Sequence, residues 1–251
     1  MRYLLTSLLC VFTLSLTAQV DCQGPDFNND GTIGAADIIV FLTYYGDEWP
    51  LAPEISCGET IAHQDYAYQT VQIGDQCWFA ENCRYLPHVS NPTDESATEP
   101  YYYVYDYEGT DVEAAVASPN YETYGVLYNW PAVMTEGICP SGWHIPSDGE
   151  FTELTDFLGG EGVAGGKMKE AGYDHWNQPN TGATNSSGWT GLPGGYRDSG
   201  AFVNDGYYGY WWSASESGSY SWRRTLYGNL GYVLRHDDDR DVGFSARCVR
   251  D

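Results

Sequence analysis

The sequence predicts an α+β fold, loop-rich with short strands and few helices, preceded by a small calcium-loop-helix module. Three observations lead there. The 251 residues include 29 Gly, and aromatic side chains make up 16% of the chain, a composition that suits short strands and ordered loops held by ring packing. Segments with helical periodicity are few. One twelve-residue stretch near the start carries the alternating oxygen ligands of a calcium loop.

In chain order, Arg2, the apolar run from Leu4 to Leu16 and the small residues Thr17 and Ala18 have the layout of a secretory signal. Residues 1–18 are therefore expected to be a signal peptide and the protein to be secreted. The run is shorter than the roughly 20 residues that cross a bilayer, so no membrane span is expected. Cys22 follows Gln-Val-Asp, a poor context for lipidation.

Residues 19–57 read as a calcium-binding module. Asp26, Asn28 and Asp30 take positions 1, 3 and 5 of the loop, Gly31 the sharp turn, Thr32 a backbone carbonyl at position 7, and Asp37 position 12. These hard oxygens suit Ca²⁺, because alternate positions of a tightly turning chain point inward together. Ile38, Phe41, Leu42 and Tyr45 then repeat with helical period, and Gly46 ends that helix.

Residues 58–65 read as a linker, and 66–251 as one large domain with enough chain for a substantial core. Thr70 to Trp78 alternates apolar and polar residues around Gly74-Asp75, which predicts a tight hairpin. From Tyr85 to Tyr121 no period is present, and acids, prolines and the run Tyr101 to Tyr107 predict a surface insertion with at most one strand. Ser147-Asp-Gly-Glu150 has the form of a capping box. The helix it starts runs to Leu158, buries Phe151, Leu154 and Leu158, and stops at Gly159-Gly160.

Six motifs in order fix a resemblance. They are Val71-Gln-Ile-Gly-Asp-Gln-Cys-Trp-Phe-Ala-Glu-Asn82, Tyr124-Gly-Val-Leu-Tyr-Asn-Trp130, Cys139-Pro-Ser-Gly-Trp-His-Ile-Pro-Ser-Asp-Gly-Glu150, Leu192-Pro-Gly-Gly-Tyr-Arg197, Tyr210-Trp-Trp-Ser213 and Gly243-Phe-Ser-Ala-Arg-Cys-Val-Arg-Asp251. Together they resemble the Fibrobacter succinogenes major paralogous domain, a secreted bacterial module that looks distantly like C-type-lectin-like and formylglycine-generating-enzyme domains. The resemblance implies a C-type-lectin-like fold; it implies no particular activity. The amino-terminal loop, with no helix before it and Asp at position 12, resembles one repeat of a dockerin. Calcium binding carries over with it. A second such loop is missing, so docking onto a cohesin does not.

Seven cysteines become six once Cys10 leaves with the signal, and an even number in an exported chain favours disulfides, with 15 possible pairings. Cys22 and Cys57 bracket the small module, Cys139 and Cys248 sit in two of the family motifs, and Cys77 and Cys83 remain. Those three pairs are the expectation. Zinc is disfavoured, because no Cys-x-x-Cys occurs and the five histidines are scattered.

A net charge of −24 and a sequence pI of about 4.2 repel a phosphate backbone and an anionic membrane, and remain compatible with divalent cations and neutral polysaccharides. Enzymes of the formylglycine-generating type need a pair of active cysteines near the C-terminal end, where this chain has only Cys248. Gln178-Pro179-Asn180 is similar to the sugar-and-calcium triplet of C-type lectins, but the Trp-Asn-Asp half of that site is missing. His236 to Asp241 reads as a solvated acidic turn, and His144 as a hydrogen-bonded core histidine. Glu150 is committed to its cap, which leaves no carboxylate pair for glycoside hydrolysis.

Tyr207, Tyr208, Tyr210, Trp211 and Trp212 remain as candidate ligand contacts, since flat rings with polar rims suit a sugar face or a protein partner. The leading expectation is a secreted, non-catalytic binding or adhesion module for an extracellular glycan or surface protein. The alternatives are a component of an extracellular polysaccharide-degrading system tethered by the dockerin-like loop, and a formylglycine-generating-type enzyme, which would require a free cysteine pair.

Overall fold

The computed structural model describes residues 56–250. The expected signal peptide, the ligands Asp26, Asn28, Asp30, Thr32 and Asp37, and Cys22 lie outside them. The described part opens with β1 (Thr60–His63), β2 (Tyr66–Ile73) and β3 (Gln76–Phe79), followed by β4 (Tyr102–Tyr103), α1 (Val112–Val116), α2 (Pro119–Tyr124), β5 (Leu127–Tyr128) and α3 (Trp130–Val133). It continues with α4 (Asp148–Phe157), α5 (Glu161–Met168), β6 (Gly194–Asp198), β7 (Ala201–Asp205), β8 (Tyr208–Ser217), β9 (Tyr220–Tyr227), β10 (Val233–Asp238) and β11 (Val249–Arg250). Three sheets result, ordered β1-β2-β3-β11, β10-β9-β8-β6-β7 and β4-β5. This is a mixed α+β domain with short helices.

The hairpin forms where alternation places it. Ile73 pairs with Gln76 across Gly74-Asp75, and Gly74 takes a φ of +63° that a side chain would resist. The linker expected at 58–65 is instead part of the fold. Ile61 enters the core opposite Tyr68, and the Thr70 hydroxyl donates to the Glu59 carbonyl at 2.6 Å, so the first sheet begins before Tyr66.

The segment 85–121 is only in part a surface insertion. Its tyrosine run supplies the expected strand, β4, but Tyr102, Tyr103 and Val104 are buried and Tyr102 pairs with Tyr128. Two short helices follow, started by Asp111 and Ser118, whose side chains accept from Ala114 and Tyr121 amides. Their brevity leaves too few turns for a period to show.

Helix α4 has both halves of its capping box: the Glu150 amide donates to Ser147 Oγ at 3.2 Å, and the Ser147 amide to the Glu150 carboxylate at 2.7 Å. Phe151, Leu154 and Leu158 are buried as expected. Helix α5 is not legible in the sequence, because Gly162, Gly165 and Gly166 dilute its helical propensity. Packing explains two of them. A Cβ at Gly165 would come within 2.4 Å of the Tyr232 carbonyl oxygen, and one at Gly166 within 2.3 Å of the Gly182 oxygen, so these glycines let two loops reach the helix.

Strand β8 is central in the five-stranded sheet. On one face Trp211 packs with Phe151, Leu154 and Met168 of α4 and α5; on the other Tyr210 and Trp212 meet Phe244 and Tyr128. Three buried arginines pin this core. Arg197 donates to the Pro92 carbonyl and pairs with Glu95 at 2.9 Å, Arg224 pairs with Asp148 at 2.7 Å, and Arg247 lies 3.8 Å over the Trp189 ring while donating to the Thr190 carbonyl. Arg197 ends one family motif and Arg247 lies within another, and these motifs accordingly build the fold.

Disulfides join Cys57 to Cys77 and Cys139 to Cys248, and Cys83 is a buried free thiol. The expected Cys22–Cys57 and Cys77–Cys83 pairs are therefore corrected. The Gly58 amide donates to Thr70 Oγ1 at 2.9 Å, which carries Cys57 alongside β2 and within reach of Cys77 on the next strand. Cys83 lies beyond the end of β3, where its amide bonds the Ala246 carbonyl at 2.9 Å. Only five residues of chain separate it from Cys77, but the strand end turns the two toward different neighbours.

Candidate functional site

An open groove of about 370 Å³ is lined by Gln64, Asp65, Tyr66, Arg84, Leu86 and Tyr121 among others. The β1–β2 turn forms one wall, with Gln64 and Asp65 both in the left-handed region at φ 52° and 58°. That conformation is uncommon outside glycine, and it presents an amide and a carboxylate side by side. The segment after β3 forms the floor, and Val116 of α1 with Tyr121 of α2 the far wall.

Arg84 organises the floor. Its guanidinium sits 4.3 Å over the Tyr66 ring and 5.7 Å from the Tyr121 ring, with donors directed to the Tyr121 and Glu122 carbonyls at 2.5 and 2.8 Å. Its buried Nε has no hydrogen-bond partner. Glu81 accepts from the Tyr66 hydroxyl at 2.5 Å and lies 3.7 Å from Arg84. Burial, then the hydrogen bond to Glu81, raises the Tyr66 phenol above its ordinary value, and burial does the same for Tyr121. Both tyrosines stay protonated, so the groove offers hydroxyls, ring faces, one carboxylate and one amide.

None of the aromatic contacts expected from the sequence lines this groove. Tyr207 is 54% exposed and Tyr208 half-buried, whereas Tyr210, Trp211 and Trp212 are buried. The last three are corrected from ligand contacts to core. The Trp211 indole donates to Asn82 Oδ1 and the Trp212 indole to the Tyr128 carbonyl, each at 2.8 Å, because β8 is covered on both faces at these positions.

His144 is also corrected. It is exposed and bonds Glu150 at 2.5 Å, outside the core. Burial opposes ionisation of Glu150, but the Ser147 side chain and amide, then His144, outweigh it and hold the carboxyl below its usual range. A carboxylate held by a helix cap and an imidazole is poorly suited to take a proton from a substrate.

Directly after Gln178-Pro179-Asn180, the Thr181 carbonyl is bound by a cation of the chain's own. Lys169 is buried, and its ammonium donates to the Thr181, Tyr227 and Leu230 carbonyls at 3.0, 2.9 and 2.8 Å. Asn180 Nδ2 donates to the Glu170 and Gly172 carbonyls, while its buried Oδ1 has no hydrogen-bond partner. In the acidic turn, Asp237 accepts from Ser217 and Asp238 from Arg223. Asp239 is lifted above its ordinary value, first by desolvation and then by Asp241, Asp238 and Asp198. Sequence reasoning missed Gln64, Asp65, Arg84 and Tyr121, which no motif singles out and which meet only through tertiary packing.

The fold and groove define a disulfide-bonded α+β domain with an open, polar-aromatic surface site. Disulfides point to an extracellular protein, and no helix among the described residues is long and apolar enough to cross a membrane. Residues 71–250 match the Fibrobacter succinogenes major domain, and the chain belongs to that family. The chain matches no curated protein and no solved structure.

Proposed function

We propose that this is a secreted, non-catalytic binding module whose groove takes a neutral glycan segment. The observation that carries the reading is the convergence of Tyr66 and Tyr121 around Arg84, with Gln64 and Asp65 on the rim, in about 370 Å³. Ring faces stack on the apolar faces of sugars, while planar amide and carboxylate groups take hydroxyl pairs. The family's likeness to C-type-lectin-like domains supports a binding role. The net charge of −24 fits an uncharged ligand better than an anionic one. In the same reading, Asp26, Asn28, Asp30, Thr32 and Asp37 hold one Ca²⁺ that stabilises a dockerin-like appendage.

A glycan array probed with the full chain, with and without chelator, tests this. Asp65→Asn and Val116→Trp alter the rim and fill the groove at exposed positions. Each should lower binding roughly tenfold, the loss of about 1.4 kcal/mol expected for one good polar contact, while the unfolding midpoint stays unchanged. Binding that both variants retain in full would overturn the groove assignment. Turnover of a bound polysaccharide would overturn the non-catalytic reading.

A further inference from the structure

Three sulfurs meet beneath the C-terminal strand. Cys248 is bonded to Cys139, and the Sγ of Cys83 lies 3.5 Å from the Sγ of Cys248. All three sulfurs fall within 4.8 Å of one another, and no other group of three or more His, Cys, Asp or Glu side chains converges as closely among the described residues. The backbone holds the cluster: the Phe79 amide donates to the Cys248 carbonyl at 3.0 Å and the Cys83 amide to the Ala246 carbonyl at 2.9 Å. Cys83 and Cys248 are fully buried, whereas Cys139 sits half-buried in the loop before α4.

We propose that Cys248 is the shared sulfur of two alternative disulfides, and that exchange from Cys139–Cys248 to Cys83–Cys248 moves the free thiol from the interior to Cys139 near the surface. The Cys83 thiolate attacks Cys248 Sγ, the Cys83–Cys248 bond forms as the Cys139–Cys248 bond breaks, and Cys139 leaves as a thiolate that takes up the proton Cys83 released. One disulfide and one thiol are present before and after. No outside oxidant or reductant is needed, since exchange only redistributes sulfurs.

Two brakes keep the exchange slow in the closed fold. Burial pushes the Cys83 thiol up to about 12; Arg247 favours the thiolate, while Glu81 opposes it. An in-line attack would also set the outer sulfurs farther apart than the 4.8 Å that contains all three, so the Cys83 side chain must swing first. Local opening of the strand that carries Cys248 removes both brakes. The exchange then frees the 138–140 loop from the C-terminal strand while keeping that strand tied to the core.

Peptide mapping by mass spectrometry tests the proposal. The full chain is held in urea below its unfolding transition, quenched in acid, unfolded and alkylated. Alkylated Cys139 together with a Cys83–Cys248 linked peptide should accumulate with time, roughly tenfold or more above the level in Cys83→Ser. Among Cys83, Cys139 and Cys248, alkylation confined to Cys83 at all times would overturn the proposal, as would equal labelling of Cys139 in Cys83→Ser, which would show attack by another thiol. In Cys139→Ser, oxidised glutathione should close Cys83–Cys248, and two persistent free thiols there would also overturn it. Should that variant fail to fold, the mapping of the unsubstituted chain still decides.

Discussion

At the scale of single residues, Lys169 shows how a charge can replace a bound ion. Its buried ammonium satisfies three carbonyls contributed by Thr181, Tyr227 and Leu230, with no carboxylate among those partners. Lys169→Met would leave these acceptors unpaired, at a cost of about 2–3 kcal/mol at neutral pH. Desolvation lowers the Lys169 pKa to about 8, against about 10.4 in an unfolded chain. Between those values the unfolded state binds the extra proton, so stability gains from rising pH. The gap between the unsubstituted chain and Lys169→Met should therefore widen from pH 8 to pH 10, measured by urea unfolding at fixed salt. A gap that narrows over that interval would contradict the assignment. Nothing in the sequence marks Lys169, because its acceptors are backbone oxygens 12 to 61 residues away. Trp211 and Trp212 fail to be legible for the complementary reason: an aromatic side chain looks the same in sequence whether it stacks on a ligand or fills a core.

At the scale of elements, legibility followed local chemistry. The β2–β3 hairpin and helix α4 are specified by residues within one turn of one another, and both appear where expected. Helix α5 is specified by loops that approach its glycines, a requirement invisible to propensity. How α4 docks on the five-stranded sheet is likewise nonlocal. Asp148, at the start of α4, accepts from Arg224 of β9 at 2.7 Å and from Arg235 of β10 at 2.8 Å. Burial opposes its ionisation, but the two arginines outweigh this and hold its carboxyl below the usual range. A depressed pKa contributes stability above the unfolded value, about 3.9, that is lost as pH falls through the folded one. Asp148→Asn should cost about 3 kcal/mol at neutral pH, since it strands the buried Arg224 charge. The difference from the unsubstituted chain should shrink as pH falls below about 4, in chemical unfolding followed by tryptophan fluorescence. Ser147→Ala removes only the adjacent cap and should cost about 1 kcal/mol.

At the scale of the whole molecule, the chain's end closes the fold. Val249 pairs with Trp78, Phe244 bridges Tyr128, and Ser245 bridges Trp211, so the final motif touches every sheet. That the motif matters was legible from the family resemblance; which cysteines pair was only partly so, because bracketing along the chain ignores that β1, β2 and β3 fold back on one another. The two disulfides differ in what they constrain. Cys57–Cys77 spans 20 residues within one meander, whereas Cys139–Cys248 spans 109 and ties the loop before α4 to the last strand. On the chain-entropy account the longer loop restricts the unfolded ensemble more, by about 1.5 kcal/mol for this ratio of lengths. The paired variants Cys57→Ser/Cys77→Ser and Cys139→Ser/Cys248→Ser should therefore both unfold at lower urea, with the second less stable than the first by about that amount. Equal losses would show that local packing around the sulfurs, and not closure of the long loop, sets what each bond contributes.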